Sequence, residues 1–470
     1  MNFSKICLNF VFMKKSVLIT LAALTISAAS YSSDYVVPED ADVRANIETL
    51  QDMKFGMFIH WGAYSQIGVV ESWSLVPDDI DWMMRGRMER NMTYAQYVKM
   101  YEGLKNSFNP VHFNPSEWAA AAKYAGMKYV VFTTKHHDGF CMFDTAQTDY
   151  RITSTECPFH KNPKANVAKA VFEAFRAEGI QTGAYFSIAD WHNDDYWWRM
   201  LPPKSRYINY DVKRHPEKWA AYQDFVAAQL EELTSGEYGT LSPMWFDLCK
   251  SSPDSTALMD WDRMGKVIRS NQPGTIMVAR GERNEYENYL TPEQLVPDEP
   301  LGYPWESCIT MTYSWSWRPG LKYKSTAEIL GILVRVVSRG GNLLLNVGPR
   351  PDGTLEDEAY DRLRGIGDWM KVNSEAIYSS KPVAPYQDGK VFFTRKDGAV
   401  YAFYIADEGE SMPSAISIKG LPVRKGMKLR MLGTNRNLRW TGTPEGFTVS
   451  IPESIRQTPP CGHIWCLRID

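Results

Sequence analysis

Past its first 32 residues the 470-residue chain has no run of about 18 apolar residues, so nothing there is long enough to cross a membrane as a helix. It has no basic excess either. Its 52 Lys and Arg stand against 55 Asp and Glu, a net charge of −3, which argues against nucleic acid as a partner. None of its seven cysteines falls in paired C-x-x-C spacing, so the grammar of a zinc site is missing. Cys7 lies in the leader, and the other six are expected to be mainly buried free thiols. Repeats and low-complexity tracts are also absent. No metal and no cofactor is expected from this inventory.

What the chain does have is aromatic weight: 13% Phe, Trp and Tyr, with 16 Trp. An aromatic-rich core accounts for that, and so does a surface on which the C–H faces of a sugar ring stack. Near the N-terminus, Lys14-Lys15, the apolar run Val17–Ile26 and the small residues Ser27-Ala28-Ala29-Ser30 read as a signal peptide over residues 1–32, with a start at Met1 or at Met13. The protein is therefore expected to be exported, periplasmic or extracellular, and no cysteine at the cleavage region points to a lipid anchor.

At 470 residues two domains are expected. From about 40 to 380, strand-like runs alternate with helical patterns. The strand runs are Phe55–Trp61, Tyr129–Thr134, Thr182–Ser187, Pro243–Asp247, Thr275–Ala279 and Asn342–Val347. Repeated βα units predict a parallel sheet covered by helices, a (β/α)8-like TIM barrel, although the Pro-rich stretch 281–325 hides the count of eight. Ser325 with Glu328 forms a capping box that opens a helix over 326–338. Lys381-Pro382 and Ala384-Pro385 read as a linker. Beyond it, from 385 to 470, short period-2 runs such as Val391–Thr394 and Ala399–Tyr404 predict an antiparallel β-sandwich.

Chemistry gathers where the strand runs end. The sharpest case is Lys135-His136-His137-Asp138-Gly139-Phe140, directly after Tyr129–Thr134; His60-Trp61, Asp190-Trp191-His192, Asp247 and Arg280 repeat the pattern. Polar groups at the carboxyl ends of parallel strands describe the catalytic face of such a barrel. Asp247 at a strand end can serve as a nucleophile if a second carboxyl protonates the leaving group, or it can cap a helix or pair with a Lys. His136 and His137 suit hydroxyl recognition, structural hydrogen bonding or, less completely, a metal. Glu293 and Glu306 lie in the irregular stretch and are each either a carboxylic acid in apolar surroundings or merely solvated.

Taken together, Phe58-Ile59-His60-Trp61-Gly62, Thr134–Phe140, Trp245-Phe246-Asp247, Thr291-Pro292-Glu293-Gln294, Trp305-Glu306 and Gly340–Pro349 resemble glycoside hydrolase family 29, the retaining α-L-fucosidases. The matching motifs run in family order from about 54 to 380. The resemblance implies that Asp247 is the nucleophile and that His60, His136 and His137 hold sugar hydroxyls. It places Trp73, Trp245 and Arg280 in or beside the pocket, and makes Glu306 first, then Glu293, the acid/base. The implied substrate is a fucosylated oligosaccharide or glycoconjugate. A glycosidase for a similar sugar such as α-L-galactose, or a non-hydrolytic carbohydrate-binding protein, are the rival readings. Three positions depart from the family pattern: Leu248 follows Asp247 where Gly is usual, Ser72 stands where Glu is usual, and Ser316 replaces a Gly.

Overall fold

A computed structural model describes residues 35–77 and 90–470; the leader read from the sequence lies outside these residues. Seven parallel strands form one sheet in the order β5-β4-β3-β2-β1-β7-β6. They are β1 (Phe55–Ile59), β2 (Tyr129–Lys135), β3 (Gln181–Ser187), β4 (Met244–Asp247), β5 (Met277–Ala279), β6 (Glu306–Thr310) and β7 (Asn342–Val347). Helices Pro115–Tyr124, Val167–Ala177, Pro216–Thr234, Trp261–Asn271, Thr326–Ser338 and Asp357–Asn373 alternate with them. The expected eighth strand is replaced by an irregular extended segment. Residues 287–294 bridge to β5 through the Asn288 amide on the Met277 carbonyl (2.9 Å) and to β6 through the Glu306 amide on the Leu290 carbonyl (2.9 Å). The barrel is closed, but one stave is loop-like, and that stave carries Glu293.

Side-chain alternation explains why the strand runs are apolar on both faces. Phe55, Met57 and Ile59 of β1 point outward into the helical layer with Val130, Phe132, Met244 and Phe246. Phe58, Val131, Tyr185, Trp245, Val278, Cys308 and Leu344 point inward and fill the barrel. Helix Ala41–Met53 plugs the barrel's amino-terminal end with Val43, Ile47 and Leu50. The open end is therefore the carboxyl end of the strands.

The stretch read as a linker is itself a strand. Residues Lys381–Asp388 form β8, an edge strand, where Pro382 and Pro385 remove no interior ladder bond. With β9 (Val391–Lys396), β10 (Ala399–Ile405), β12 (Leu429–Met431) and β15 (Ile464–Ile469) it makes a five-stranded antiparallel sheet; β11 (Ala415–Lys419), β13 (Arg439–Thr443) and β14 (Gly446–Ser450) make a three-stranded one. One face of the larger sheet joins Ile416, Ile418, Phe447 and Val449 of the smaller in a separate core. Its other face, through Phe392, Phe403 and Cys466, packs on the barrel's last helices. The six described cysteines are all free, and all but the half-buried Cys461 are buried.

Candidate active site

At the open end of the barrel lies a cavity of about 440 Å³ whose lining includes His60, Trp73, His136, His137, Trp245, Asp247, Arg280 and Glu293. These residues are widely separated in sequence, and most of them come together because they follow or end a strand; Trp73 comes from the short helix Glu71–Leu75 and Trp245 from within β4. Tip for tip, β1 delivers His60, β2 the two histidines, β4 Asp247 and β5 Arg280. Lys135 does not join them: it is fully buried in the barrel wall, where its ammonium meets Asp190 (3.3 Å) and Gln229 (3.0 Å). Asp190 in turn accepts from the His192 and Asn193 amides, so the Asp190-Trp191-His192 tip is a brace for the pocket wall. A Cβ on Gly139 would stand 2.1 Å from Asp190 Oδ1, and Gly139 has φ +78°, so that turn requires glycine. Trp61 faces away from the cavity, edge-on to Phe108 and Trp118.

Asp247 is held from three sides. Arg280 Nη1 donates to Oδ1 (2.8 Å), the Leu248 amide to Oδ1 (2.9 Å) and the Tyr185 hydroxyl to Oδ2 (2.9 Å), while His137 Nε2 stands 3.8 Å from Oδ2. Burial works against its charge, but the Arg280 guanidinium and the two hydrogen bonds outweigh it and keep the carboxyl below its ordinary range. It is an ionised carboxylate that needs no proton removed. Leu248 adopts φ +47°, a left-handed conformation, while its amide donates back to Asp247 Oδ1. A glycine adopts it freely; leucine holds it at a cost of about 1–2 kcal/mol, and it lines the cavity with its side chain.

Arg280 reaches a second carboxylate on the same side of the cavity. Its Nη2 donates to Glu293 Oε2 (2.8 Å), and its Nε to Thr291 Oγ1 (2.9 Å). Its guanidinium also lies over the Trp245 ring, 4.7 Å from the centroid. Asp247 and Glu293 are thus the two carboxylates gathered by one guanidinium fork.

Glu306 is elsewhere, which corrects the expectation that it serves as the acid/base. It opens β6 and pairs in register with Asn342, the first residue of β7, so it lies at the amino-terminal end of the barrel. There it accepts from Tyr129 (2.5 Å) and Tyr289 (3.1 Å). It borders a small crevice with Ile47 and Leu50 of the plugging helix. Burial raises its carboxyl to about 7, as an acid would need, but the group faces the sealed end. The Trp-Glu pair in sequence looked like an apolar-walled acid; the strand direction decides otherwise.

Several residues of the cavity carried no signal in the sequence. Tyr185 looked like ordinary strand filling, yet its hydroxyl binds Asp247 and its ring stacks on His136 (centroids 5.6 Å apart). Glu71 is buried in the wall, with Oε1 accepting from the Ser316 amide (2.6 Å) and Oε2 left without a partner. Burial lifts it to about 7. Neither of two departures from the family pattern lines the cavity: the Ser316 hydroxyl donates to the Val69 carbonyl (2.9 Å), and Ser72, next to Glu71 in sequence, sits behind His136. Among the described residues no cluster of three or more His, Cys, Asp or Glu side chains has the arrangement of a metal site.

Comparison with known proteins bears on this arrangement. Residues 22–375 match the family profile of alpha-L-fucosidase, and residues 385–470 match that of the alpha-L-fucosidase C-terminal domain. The tissue alpha-L-fucosidase of Rattus norvegicus is 28% identical over 482 residues, covering 96% of each chain. The solved structure of alpha-L-fucosidase isoenzyme 1 from Paenibacillus thiaminolyticus superposes with a TM-score of 0.74 at 31% identity, covering 91% of this chain and 99% of that one. The Thermotoga maritima alpha-fucosidase in complex with a mechanism-based inhibitor gives a TM-score of 0.72 at 26% identity, over 92% and 100%.

Proposed function

The chain belongs to the α-L-fucosidase family, glycoside hydrolase family 29, and from that membership we propose that it releases terminal α-L-fucose from glycans by double displacement, with Asp247 as nucleophile and Glu293 as acid/base. The observation that carries the assignment is the Arg280 fork. It binds an ionised carboxylate at a strand tip and a second carboxyl on the closing stave, both on the wall of one cavity.

In the first step Asp247 attacks the anomeric carbon while Glu293 protonates the departing oxygen; in the second, water deprotonated by Glu293 displaces the sugar from Asp247 with net retention. Tyr185, Arg280 and the Leu248 amide hold Asp247 in place before substrate arrives, so no reorganisation is needed at attack. Glu293 must let go of Arg280 to carry a proton, and its exposed side of the fork allows it. His60, His136 and His137 are neutral: burial pushes His60 down to about 3 and His137 to about 4, and it lowers His136 as well. Neutral imidazoles bind hydroxyls and leave the charge of Asp247 uncompensated except by Arg280.

Phe58, Trp245 and Trp315 form an apolar corner, with ring centroids 5.2 Å apart for Phe58–Trp245 and 6.0 Å for Phe58–Trp315. Such a corner suits the methyl group of a 6-deoxy sugar and disfavours the hydroxymethyl of α-L-galactose by about 1–3 kcal/mol. Release of 4-nitrophenol from the α-L-fucoside and the α-L-galactoside, measured side by side, tests the reading. The fucoside is expected to have the higher kcat/KM by roughly 10-fold or more, with α-L-fucose as the first anomer seen by NMR. A preference for the galactoside, or β-L-fucose as first product, contradicts it.

A further inference from the structure

Each of the three cavity histidines is tied at Nδ1 to a partner whose own hydrogen bonds decide where the imidazole proton sits. Asn346 donates its amide Nδ2 to the Trp315 carbonyl (2.7 Å), so the atom facing His60 is the acceptor Oδ1, at 2.6 Å. His60 is therefore protonated at Nδ1 and turns a bare Nε2 to the cavity. Ser187 donates its hydroxyl to the Ala189 carbonyl (2.6 Å), so it accepts from His137 Nδ1 (2.7 Å), and His137 also carries a bare Nε2, the atom beside Asp247.

His136 is built the other way. Its partner Ser72 is fully buried, and Ser72 Oγ already accepts from the Asp138 backbone amide (3.0 Å). The hydroxyl hydrogen of Ser72 has His136 Nδ1, 2.5 Å away, as its acceptor. A neutral imidazole that accepts at Nδ1 holds its proton on Nε2. Two histidines thus offer lone pairs to the cavity and one offers an N–H.

We propose that Ser72 is a positioning residue that locks His136 in the Nε2–H form, making it the donor among three histidines and so fixing which sugar hydroxyl must accept. This rests on the reading of the cavity as a sugar site, but the tautomers themselves do not. The sugar hydroxyls facing His60 and His137 donate; the one facing His136 accepts.

Long-range proton–nitrogen NMR of the full-length protein with 15N-labelled histidine reads each tautomer without any sugar present. Assignment comes from single His→Gln variants. His136 is expected as Nε2–H, with His60 and His137 as Nδ1–H. In Ser72→Ala, His136 should lose its single form while His60 and His137 stay unchanged. KM for the aryl fucoside should rise roughly 3- to 10-fold, with a smaller change in kcat, as loss of one oriented hydrogen bond implies. Ser72→Thr, which keeps the hydroxyl, should restore both the tautomer and KM. His136 as Nδ1–H in the unaltered protein overturns the proposal even if neither variant folds. So does a Ser72→Ala protein whose His136 keeps its Nε2–H form. Tautomers as expected in a protein that hydrolyses no fucoside would instead sink the functional reading and leave the role of Ser72 standing.

Discussion

Arg280 meets three demands with one planar group: Asp247 on Nη1, Glu293 on Nη2 and Thr291 on Nε. A lysine cannot meet them, because an ammonium is a point charge without the fork. Arg280 also opposes the burial that would otherwise raise Asp247, so the sign of its removal is fixed. Asp247 must be ionised to attack, and activity falls as pH drops through its pKa. With Arg280→Gln, which removes the charge, that pKa moves up, so the acid limb of the kcat/KM profile should shift to higher pH, alongside a fall in the plateau. An acid limb that stays in place while the plateau falls would show that Arg280 positions substrate without tuning the nucleophile. At this scale the sequence was legible where chemistry breaks an apolar pattern, as at His136, His137, Asp247 and Arg280. It was not legible where the group looks like packing. Tyr185 sits in an unbroken apolar strand, and the value of its hydroxyl exists only because β4 lies beside β3.

The elements decide between Glu293 and Glu306, which sequence could not. Both lie in the irregular stretch after the Thr275–Ala279 strand run, and Glu306 has the apolar neighbours of a general acid. Direction separates them: Glu306 starts β6 at the plugged end, whereas Glu293 lies further along the irregular stave, bridged to Cys308 at the cavity. That stave was hidden because strand periodicity fails where a barrel stave is carried by isolated bridges and side-chain anchors. Leaving-group dependence follows from the placement. Glu293→Gln should slow release of a poor leaving group by roughly 10²–10⁴-fold and spare an aryl fucoside whose leaving group needs no proton. Glu306→Gln should treat both substrates alike, since it touches neither. The reverse pattern would return the acid role to Glu306.

Across the whole molecule, the barrel does not end where its last helix ends. Trp369 of helix Asp357–Asn373 donates its indole N–H to the Ile464 carbonyl in β15 (2.8 Å) and packs near Phe403 of β10. The five-stranded sheet therefore covers an apolar helical face that would otherwise meet water. The change from βα alternation to period-2 runs was visible in the sequence near 380, but the docking was not, because Lys381-Pro382 and Ala384-Pro385 imitate a flexible joint. A chain stopped at Ser380 should lose soluble yield and bind a hydrophobic dye. A soluble truncation with unchanged melting temperature and full kcat/KM would mean that the sandwich merely accompanies the barrel.

Asp247 as the group that bonds to the sugar is the step on which the whole mechanism turns. Asp247→Ala with an activated aryl α-L-fucoside and added azide tests it directly. The variant should be inactive alone, and azide entering from the vacated face should restore aryl release and give the inverted β-L-fucosyl azide. Undiminished hydrolysis without azide, or an azide product of retained α configuration, would contradict it.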